Sequence, residues 1–459
     1  MPTVVVVGGG IAGLTTAYCL VRDNRQLKVI VLEAAPTAGG VIATSRDAGR
    51  LVELGPNGFL DSKPAIVGLC EELRLPLERA RPESAERFVL VGGKLRRAPK
   101  TPGEFLRSDM LSLGGKLRFL WERLGGRVLS AEDESIADFG RRHFGKEATA
   151  TLVDAVVTGI YAGDIEKLSV KSCFPKLVEL ESQYGSLLKA QSALATAGRK
   201  AGQKSGALGT LACPRGGMGR LVEGLTKSIG DRVEYRTSVE RVRLSREGWS
   251  LDAGGRAMSA DAVVLAAPAD AAARSLRGED ETIAAELAGI QSAPAAVVAM
   301  SFKRAVLPTM PIGFGYLAPE RLGRPVLGVI YSSNVFEAQA PDDEFMFRAI
   351  LGGDRRRDVI EWSDEQLVQT VRDDLREFLG ITAEPVFRLL QRWRQAIPQY
   401  HVEHAARLAR IDERLRVLPG VFLTGASYRG VAVADCVKDG MAVADQVAQY
   451  LESTGSKRG

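Results

Sequence analysis

The chain opens on a valine run that ends abruptly in glycine. Residues 4–13 read Val4-Val5-Val6-Val7-Gly8-Gly9-Gly10-Ile11-Ala12-Gly13, and Glu33 closes a second apolar run, Val29-Ile30-Val31-Leu32. Unbroken β-branched residues suit a strand buried on both faces, as in a parallel sheet. The predicted order is strand, glycine turn, helix, strand and acid. Gly8 permits the tight turn, Gly10 lets a pyrophosphate approach the backbone, and Gly13 lets helix and strand pack closely. Unpaired N–H groups at the helix N-terminus face the phosphates. Glu33 stands where a carboxylate accepts hydrogen bonds from ribose hydroxyls, and it would repel a 2′-phosphate, which disfavours NADP. The glycines alone would also suit a turn without a ligand. The dinucleotide reading rests on all five parts falling in register within about 30 residues. NAD and FAD are both compatible with it.

At 459 residues the chain exceeds one simple core, so two or three domains are expected. A formal net charge of +5 weakly suits an anionic ligand or membrane surface and argues against a nucleic-acid binder. The five cysteines, Cys19, Cys70, Cys173, Cys213 and Cys436, form no CxxC pair and point to reduced thiols in a cytoplasmic setting. The opening valines lack a basic flank and read as a strand rather than a signal peptide. No apolar run approaches the roughly 18 residues that a membrane span needs. With only His143, His401 and His404 present, no metal site is expected, and His401 and His404 read as polar surface.

Ala38-Gly39-Gly40-Val41 forms a second glycine loop, and Leu51-Val52-Glu53 is a short strand running into a turn at 54–58. Ile66, Leu69, Leu73 and Leu75 predict a helix over about 64–80, and residues 88–97 predict a hairpin around Gly92-Gly93. From 99 to 205 the chain is largely helical. There Phe105, Leu106, Leu113, Leu117, Leu120 and Trp121 interleave with Arg107, Lys116, Arg118, Arg123 and Arg127. That mixture suits an interfacial amphipathic segment or a core helix with a solvated basic face. Residues 182–209, rich in Ala, Gly, Ser and Lys, read as a mobile insertion. Strand patterns return at 233–235, 238–242, 249–251 and 261–268. A mixed α+β region covers about 290–400, and a buried strand at 421–425 precedes a closing helix over 439–450. Strand-to-glycine motifs thus stand at both ends and in the middle, so one nucleotide domain is assembled from separated segments with other domains inserted.

GGGIAG at 8–13 with Glu33, LGPNG at 54–58, GIYAGDIEKLS at 159–169 and GASYRGVAVADC at 425–436 together resemble the protoporphyrinogen oxidase family. Its members are oxygen-dependent FAD enzymes of the amine oxidase and phytoene desaturase superfamily. The resemblance implies an α/β fold with a Rossmann-like FAD-binding domain built from 1–86, 209–290 and 406–459. A helical, membrane-associated and substrate-lining domain would span 87–208, and an α+β substrate domain 291–405. FAD would be held non-covalently, its pyrophosphate at Gly8, Gly9, Gly10, Ile11, Ala12 and Gly13, its ribose at Glu33 and Ala34, with Gly39 and Gly40 along the phosphates. Gly55, Pro56, Asn57 and Gly58 would pass beside the isoalloxazine, Val239 would hold the adenine through its backbone, and Trp393 would lie near the flavin. Val431, Ala432 and Val433 would present N–H groups to the pyrimidine end, where a helix N-terminus favours the negative charge of reduced flavin. Ala432 stands where many members have glycine, and Gly58 where many have serine or another residue.

The implied reaction is oxidation of protoporphyrinogen IX to protoporphyrin IX in haem biosynthesis, six hydrogens leaving in two-electron steps. Molecular oxygen would be the acceptor and hydrogen peroxide the by-product, and no side-chain general base is assigned. Arg96 matches a basic residue that pairs with a substrate propionate; it also suits a solvated hairpin charge beside Arg97. Gly159, Ala162 and Gly163 would line the porphyrinogen cavity, Asp164 reads as a helix or turn cap, and Cys436 lies beside the flavin without a signature for covalent attachment. The implied setting is cytoplasmic, peripheral to the cytoplasmic membrane through residues 100–130, with no nucleic acid and with room for a homodimer. Coproporphyrinogen III, with four propionates rather than two, is the closest alternative substrate. An amine oxidase or carotenoid desaturase would not be expected to carry 159–169, and a non-catalytic protein stabilised by its nucleotide is a third reading.

Overall fold

A computed structural model describes residues 1–24, 26–123, 132–200, 209–245 and 248–455. The valine strand Thr3–Val7 is the centre of a five-stranded sheet. Lys28–Leu32 and Ala262–Leu265 flank it, Val233–Glu234 and Val421–Leu423 form the edges, and every pairing is parallel. The valine run is explained by burial on both faces. Val4 and Val6 pack under the helices Ile11–Asp23 and Val433–Gly455, whereas Val5 and Val7 face a second cluster that includes Trp249, Leu276 and Leu287. The sheet therefore draws strands from the beginning, middle and end of the chain.

A seven-stranded sheet stands beside it, in the order Phe387–Pro398, Ser292–Lys303, Glu344–Gly352, Val326–Ile330, Gly315–Leu317, Phe88–Val91 and Lys94–Arg97. The predicted 88–97 hairpin is thus present as its edge. One face, carrying Val298, Met300, Phe345 and Phe347, is sealed by Leu367, Val371 and Leu375 of the helix Asp364–Leu379. The other face carries Ala299 and Met346, which meet Val52 of the strand Arg50–Glu53. That contact joins the substrate-side sheet to the stretch leading into residues 54–58.

The described residues between 102 and 200 are largely helical. On Leu113–Trp121, Phe119 stacks inward on Phe105 and Phe144, with ring centroids 4.8 and 5.0 Å away. Leu113, Leu117 and Trp121, at helical spacing, are 79%, 69% and 64% exposed. The apolar face of this helix points outward, so the alternative of a core helix with a solvated basic face does not hold. Arg127 lies outside the described residues. Among the described residues no helix is long and apolar enough to cross a membrane.

Several expectations are corrected. The helix expected over 64–80 ends at Glu72, because Arg74 turns left-handed (φ 56°) and Pro76 has no N–H to donate; Leu77–Arg79 is a strand. The expected mobile insertion at 182–209 contains the helix Leu187–Lys200, and residues 201–208 lie outside the described residues. The closing helix begins at Val433 rather than 439. Of the two histidines expected at the surface, His404 is buried: it is 4% exposed, stacks on Tyr400 at 4.1 Å and reaches the Tyr428 carbonyl at 3.0 Å, while His401 is half-buried.

Candidate active site

All five parallel strands end at the same edge, and the glycine loops gather there. Gly8 takes a left-handed φ of 110° and donates its N–H to Leu32 O at 2.8 Å. A Cβ on Gly13 would lie 2.1 Å from Gly8 O, so only glycine lets the helix sit this close to the strand. A Cβ on Gly10 would meet nothing within 4 Å, which leaves open room at the helix start. Ile11 and Ala12 are buried in the first turn of that helix. Gly39 donates to Gly9 O at 2.8 Å, and Gly40 approaches Gly10, so the second glycine loop borders the same opening. Glu33 accepts the N–H of Gly9 and of Ala35, each at 2.7 Å. Those bonds fix the acid at the strand tip beside exposed Ala34. Thr237 N donates to Glu33 O at 2.9 Å, which brings the bulged start of the strand Val239–Ser245 to that tip.

The last parallel strand delivers the other end of the site. Thr424 Oγ1 and Gly425 N both donate to Asp439 at 2.7 and 3.2 Å, tying the strand exit to the closing helix. Thr16 donates to Gly440 O at 3.0 Å, so the opening and closing helices run side by side from that edge. Ahead of the closing helix, Ala432 O accepts from Asp435 N and Cys436 N. No described residue accepts the N–H groups of Val431, Ala432 or Val433. Three free donors at a helix N-terminus form a seat for an electron-rich group.

Tyr400 links this seat to the segment 159–169. Its hydroxyl accepts from Gly430 N at 2.8 Å and donates to Ala426 O at 2.6 Å, and its carbonyl accepts from Ser169 N. The helix Asp154–Tyr161 ends with Ala162 in the left-handed region (φ 46°), and Ala162 O accepts from Asp354 N at 2.8 Å. Gln399 donates to Tyr161 O at 2.9 Å, and its Oε1 would be 2.3 Å from a Cβ on Gly163. Gly159 packs against Leu317 of the larger sheet. Asp164 is the expected turn cap, accepting from Glu166 N at 3.0 Å, and it also pairs with Arg355 at 2.5 Å. Burial pulls the Asp164 carboxyl up, but Arg355 and the Glu166 N–H outweigh it and hold it below the usual range.

The floor of the site joins Trp393 and residues 54–58, expected from the resemblance, to Arg348, which the sequence did not single out. Trp393 Nε1 donates to Leu54 O at 2.6 Å, and Arg348 Nη2 donates to the adjoining Gly55 O at 2.5 Å. Gly55 lies so close to Val41 O that a Cβ would fall 1.8 Å from it, and Gly58 is held similarly against Ala212 O. Pro56 and Asn57 are half-buried between them. Burial pushes Arg348 down to about 10, which leaves it cationic at neutral pH. Burial also raises Glu53, whose carboxylate accepts from Met218 N and Thr44 Oγ1, both at 2.7 Å. Arg96 is no freely solvated hairpin charge: Asp109 holds it at 2.5 Å, and its Nε is buried without a partner. All five cysteines are buried and unpaired. Burial pushes Cys436 up to about 12, which keeps it a thiol.

Open room at Gly10, beyond the central strand, and free donors at 431–433, beyond the edge strand Val421–Leu423, fit an extended dinucleotide. Together with the comparisons below, they define an FAD-dependent oxidoreductase. The chain belongs to the flavin containing amine oxidoreductase family, whose profile matches residues 11–448, and within it to the protoporphyrinogen oxidase family. It is 30% identical to "Coproporphyrinogen III oxidase" of Bacillus subtilis (strain 168), over 98% of each chain. It is 33% identical to "Protoporphyrinogen oxidase, chloroplastic" of Oryza sativa subsp. japonica, over 97% of this chain and 88% of that one. The crystal structure of an Exiguobacterium sp. 255-15 protein, provisionally assigned as a protoporphyrinogen oxidase, superposes with a TM-score of 0.86 at 26% identity, covering 98% and 99% of the two chains. Cyclohexylamine oxidase from Brevibacterium oxydans IH-35A shares the fold alone, with a TM-score of 0.72 at 17% identity and 98% and 99% coverage.

Proposed function

We propose that this enzyme oxidises protoporphyrinogen IX to protoporphyrin IX in haem biosynthesis, with molecular oxygen as final acceptor. The observation that carries this reading is similarity over essentially the whole chain to proteins named as porphyrinogen oxidases. FAD supplies the two-electron chemistry when bound. Six electrons and six protons leave the substrate, and three molecules of oxygen become three of hydrogen peroxide. In this reading Gly8 to Gly13 and Gly39-Gly40 seat the pyrophosphate, and Glu33 with Ala34 meets the ribose. Val239 meets the adenine, Gly55 to Gly58 and Trp393 border the ring, and Val431 to Val433 donate to its pyrimidine end. Gly159, Ala162 and Gly163 wall the substrate cavity. Arg96 exchanges Asp109 for a propionate, a bidentate charge-assisted pairing. Pyrrole protons leave to water, so no side chain is assigned as base.

Coproporphyrinogen III is the second reading, favoured by the relatives of that name from Bacillus subtilis and Propionibacterium freudenreichii, 30% and 32% identical to this chain. Anaerobic mixing of the yellow holoenzyme with each porphyrinogen separates the two. Faster flavin bleaching and higher kcat/KM with protoporphyrinogen IX are expected. A clear preference for coproporphyrinogen III would replace the first substrate by the second, and no bleaching with either would sink the reading.

The same reading divides the chain into FAD-binding segments at 1–86, 209–290 and 406–459, a helical part at 87–208 and a substrate part at 291–405; the parallel sheet draws its strands from the three FAD-binding segments, while the hairpin 88–97 joins the substrate-side sheet. It places the protein in the cytoplasm, peripheral to the membrane, with a homodimer compatible. The outward row Leu113, Leu117 and Trp121 beside Lys116 supports interfacial docking. Binding to anionic liposomes is expected; full recovery with the soluble fraction would exclude it.

A further inference from the structure

We propose that Arg348 raises the reduction potential of the bound flavin by holding a buried positive charge, with no direct ion-pair partner, against the Gly55 backbone. The proposal rests on the reading that 55–58 border the isoalloxazine. Arg348 lies on the strand Glu344–Gly352, in register with Ala299 and Ile330 of the neighbouring strands. Its side chain faces the nucleotide half, reaching Gly55, while Phe347 and Ala349 face the core on the opposite side.

Three other arginines with partly buried guanidinium groups are neutralised. Arg50 is matched by Glu344 at 2.7 Å, Arg324 by Asp374 at 2.6 Å, and Arg142 by Glu134 and Glu181. Arg348 is 4% exposed, yet no described carboxylate lies within ion-pair distance of it. One Nη donates to Gly55 O, and Nε has no partner at all. Glu53 acts on it from further away, its carboxylate held by Met218 N and Thr44 Oγ1 rather than by the guanidinium. A buried cation without a direct ion-pair partner is costly, and such groups concentrate at functional sites. Two-electron reduction with uptake of one proton adds a negative charge to the ring, the electrons coming from the porphyrinogen. A nearby cation in a low-dielectric setting favours that reduced form over the oxidised one.

The test is the midpoint potential of purified holoenzyme, measured by equilibration with redox dyes, for wild type, R348L, R348Q and R348K. R348L and R348Q should each lower the reduced-to-oxidised equilibrium constant at least about tenfold, roughly 30 mV for a two-electron couple, while R348K stays within about threefold of wild type. R348Q keeps an N–H for the Gly55 carbonyl and serves if R348L does not retain FAD. Neutral variants with the wild-type potential would overturn the proposal. So would an equal fall in R348K, which would assign the effect to the lost Gly55 contact rather than to charge. If wild-type enzyme oxidises neither porphyrinogen, the proposed function fails independently, because the potentials need no substrate.

Discussion

The parallel sheet and the helical stretch between 102 and 200 bury their chain in opposite ways. In the sheet, Val4 to Val7 are enclosed on both faces by apolar clusters, and the polar work is left to loops at the strand ends. In the helical stretch, polar and titratable side chains are buried instead. His143, 6% exposed, lies between Glu122 at 2.9 Å and Glu181 at 3.0 Å, and Arg142 closes the network. Glu122 also accepts from Ser186 Oγ and from the N–H groups of Leu187 and Leu188. One acid from the end of the outward-facing helix thereby caps the helix Leu187–Lys200. The sheet needs no specific partner beyond apolar volume. The helical stretch holds its shape by a few charges, which frees Leu113, Leu117 and Trp121 to face outward.

That contrast can be broken most severely in the sheet. Gly13→Val forces a side chain into Gly8 O, and we expect no yellow holoenzyme at all, read from the visible absorbance of the purified protein; a normally coloured variant would show that the helix can shift away. Next in size is Glu122→Ala, which strips His143 and the 187–188 N–H groups of their acceptor. A loss of about 3 kcal/mol in urea unfolding is expected, with proteolysis beginning between 122 and 200 while the sheet stays resistant. Acid provides a third measure. Burial alone would raise the Glu122 carboxyl, but His143, Ser186 and the two N–H groups outweigh it and hold it at about 2, below its ordinary 4.5. Its stabilising contribution is therefore complete above pH 4.5 and is lost as pH falls through about 2. Wild type should lose stability over that window more steeply than E122Q, and identical slopes would remove Glu122 from the account. The smallest effect is expected of Leu117→Ser with Trp121→Ser, which should change stability by no more than about 0.5 kcal/mol per site yet reduce liposome binding. A large stability loss would mean that this face is covered by protein.

Legibility followed the same division. The strand-turn-helix at 3–23 and the acid at 33 could be read because each part is local: β-branched burial, a left-handed turn, a close approach. The segments 54–58, 159–164 and 431–433 were legible only through family likeness. Gly55 is required by Val41 O, Gly163 by Gln399, and the 431–433 donors are presented by Tyr400 and Asp439, all contacts between distant parts of the chain. The helix at 187–200 was misread because its composition suggested a flexible loop, while its cap is supplied by Glu122. His404 was misread because sequence says nothing about what stacks on it.

By itself the sequence determined a buried parallel strand, a tight glycine turn and an acid at the tip of the next strand, since those depend on backbone sterics within one βαβ unit. Which buried arginine stays without a direct ion-pair partner, which face of the 113–121 helix meets solvent, and how Tyr400 joins residues 159–169 to the closing helix were decided by tertiary structure. Each of these depends on the distance between groups far apart in the chain, and only packing of the two sheets and the helical stretch sets those distances.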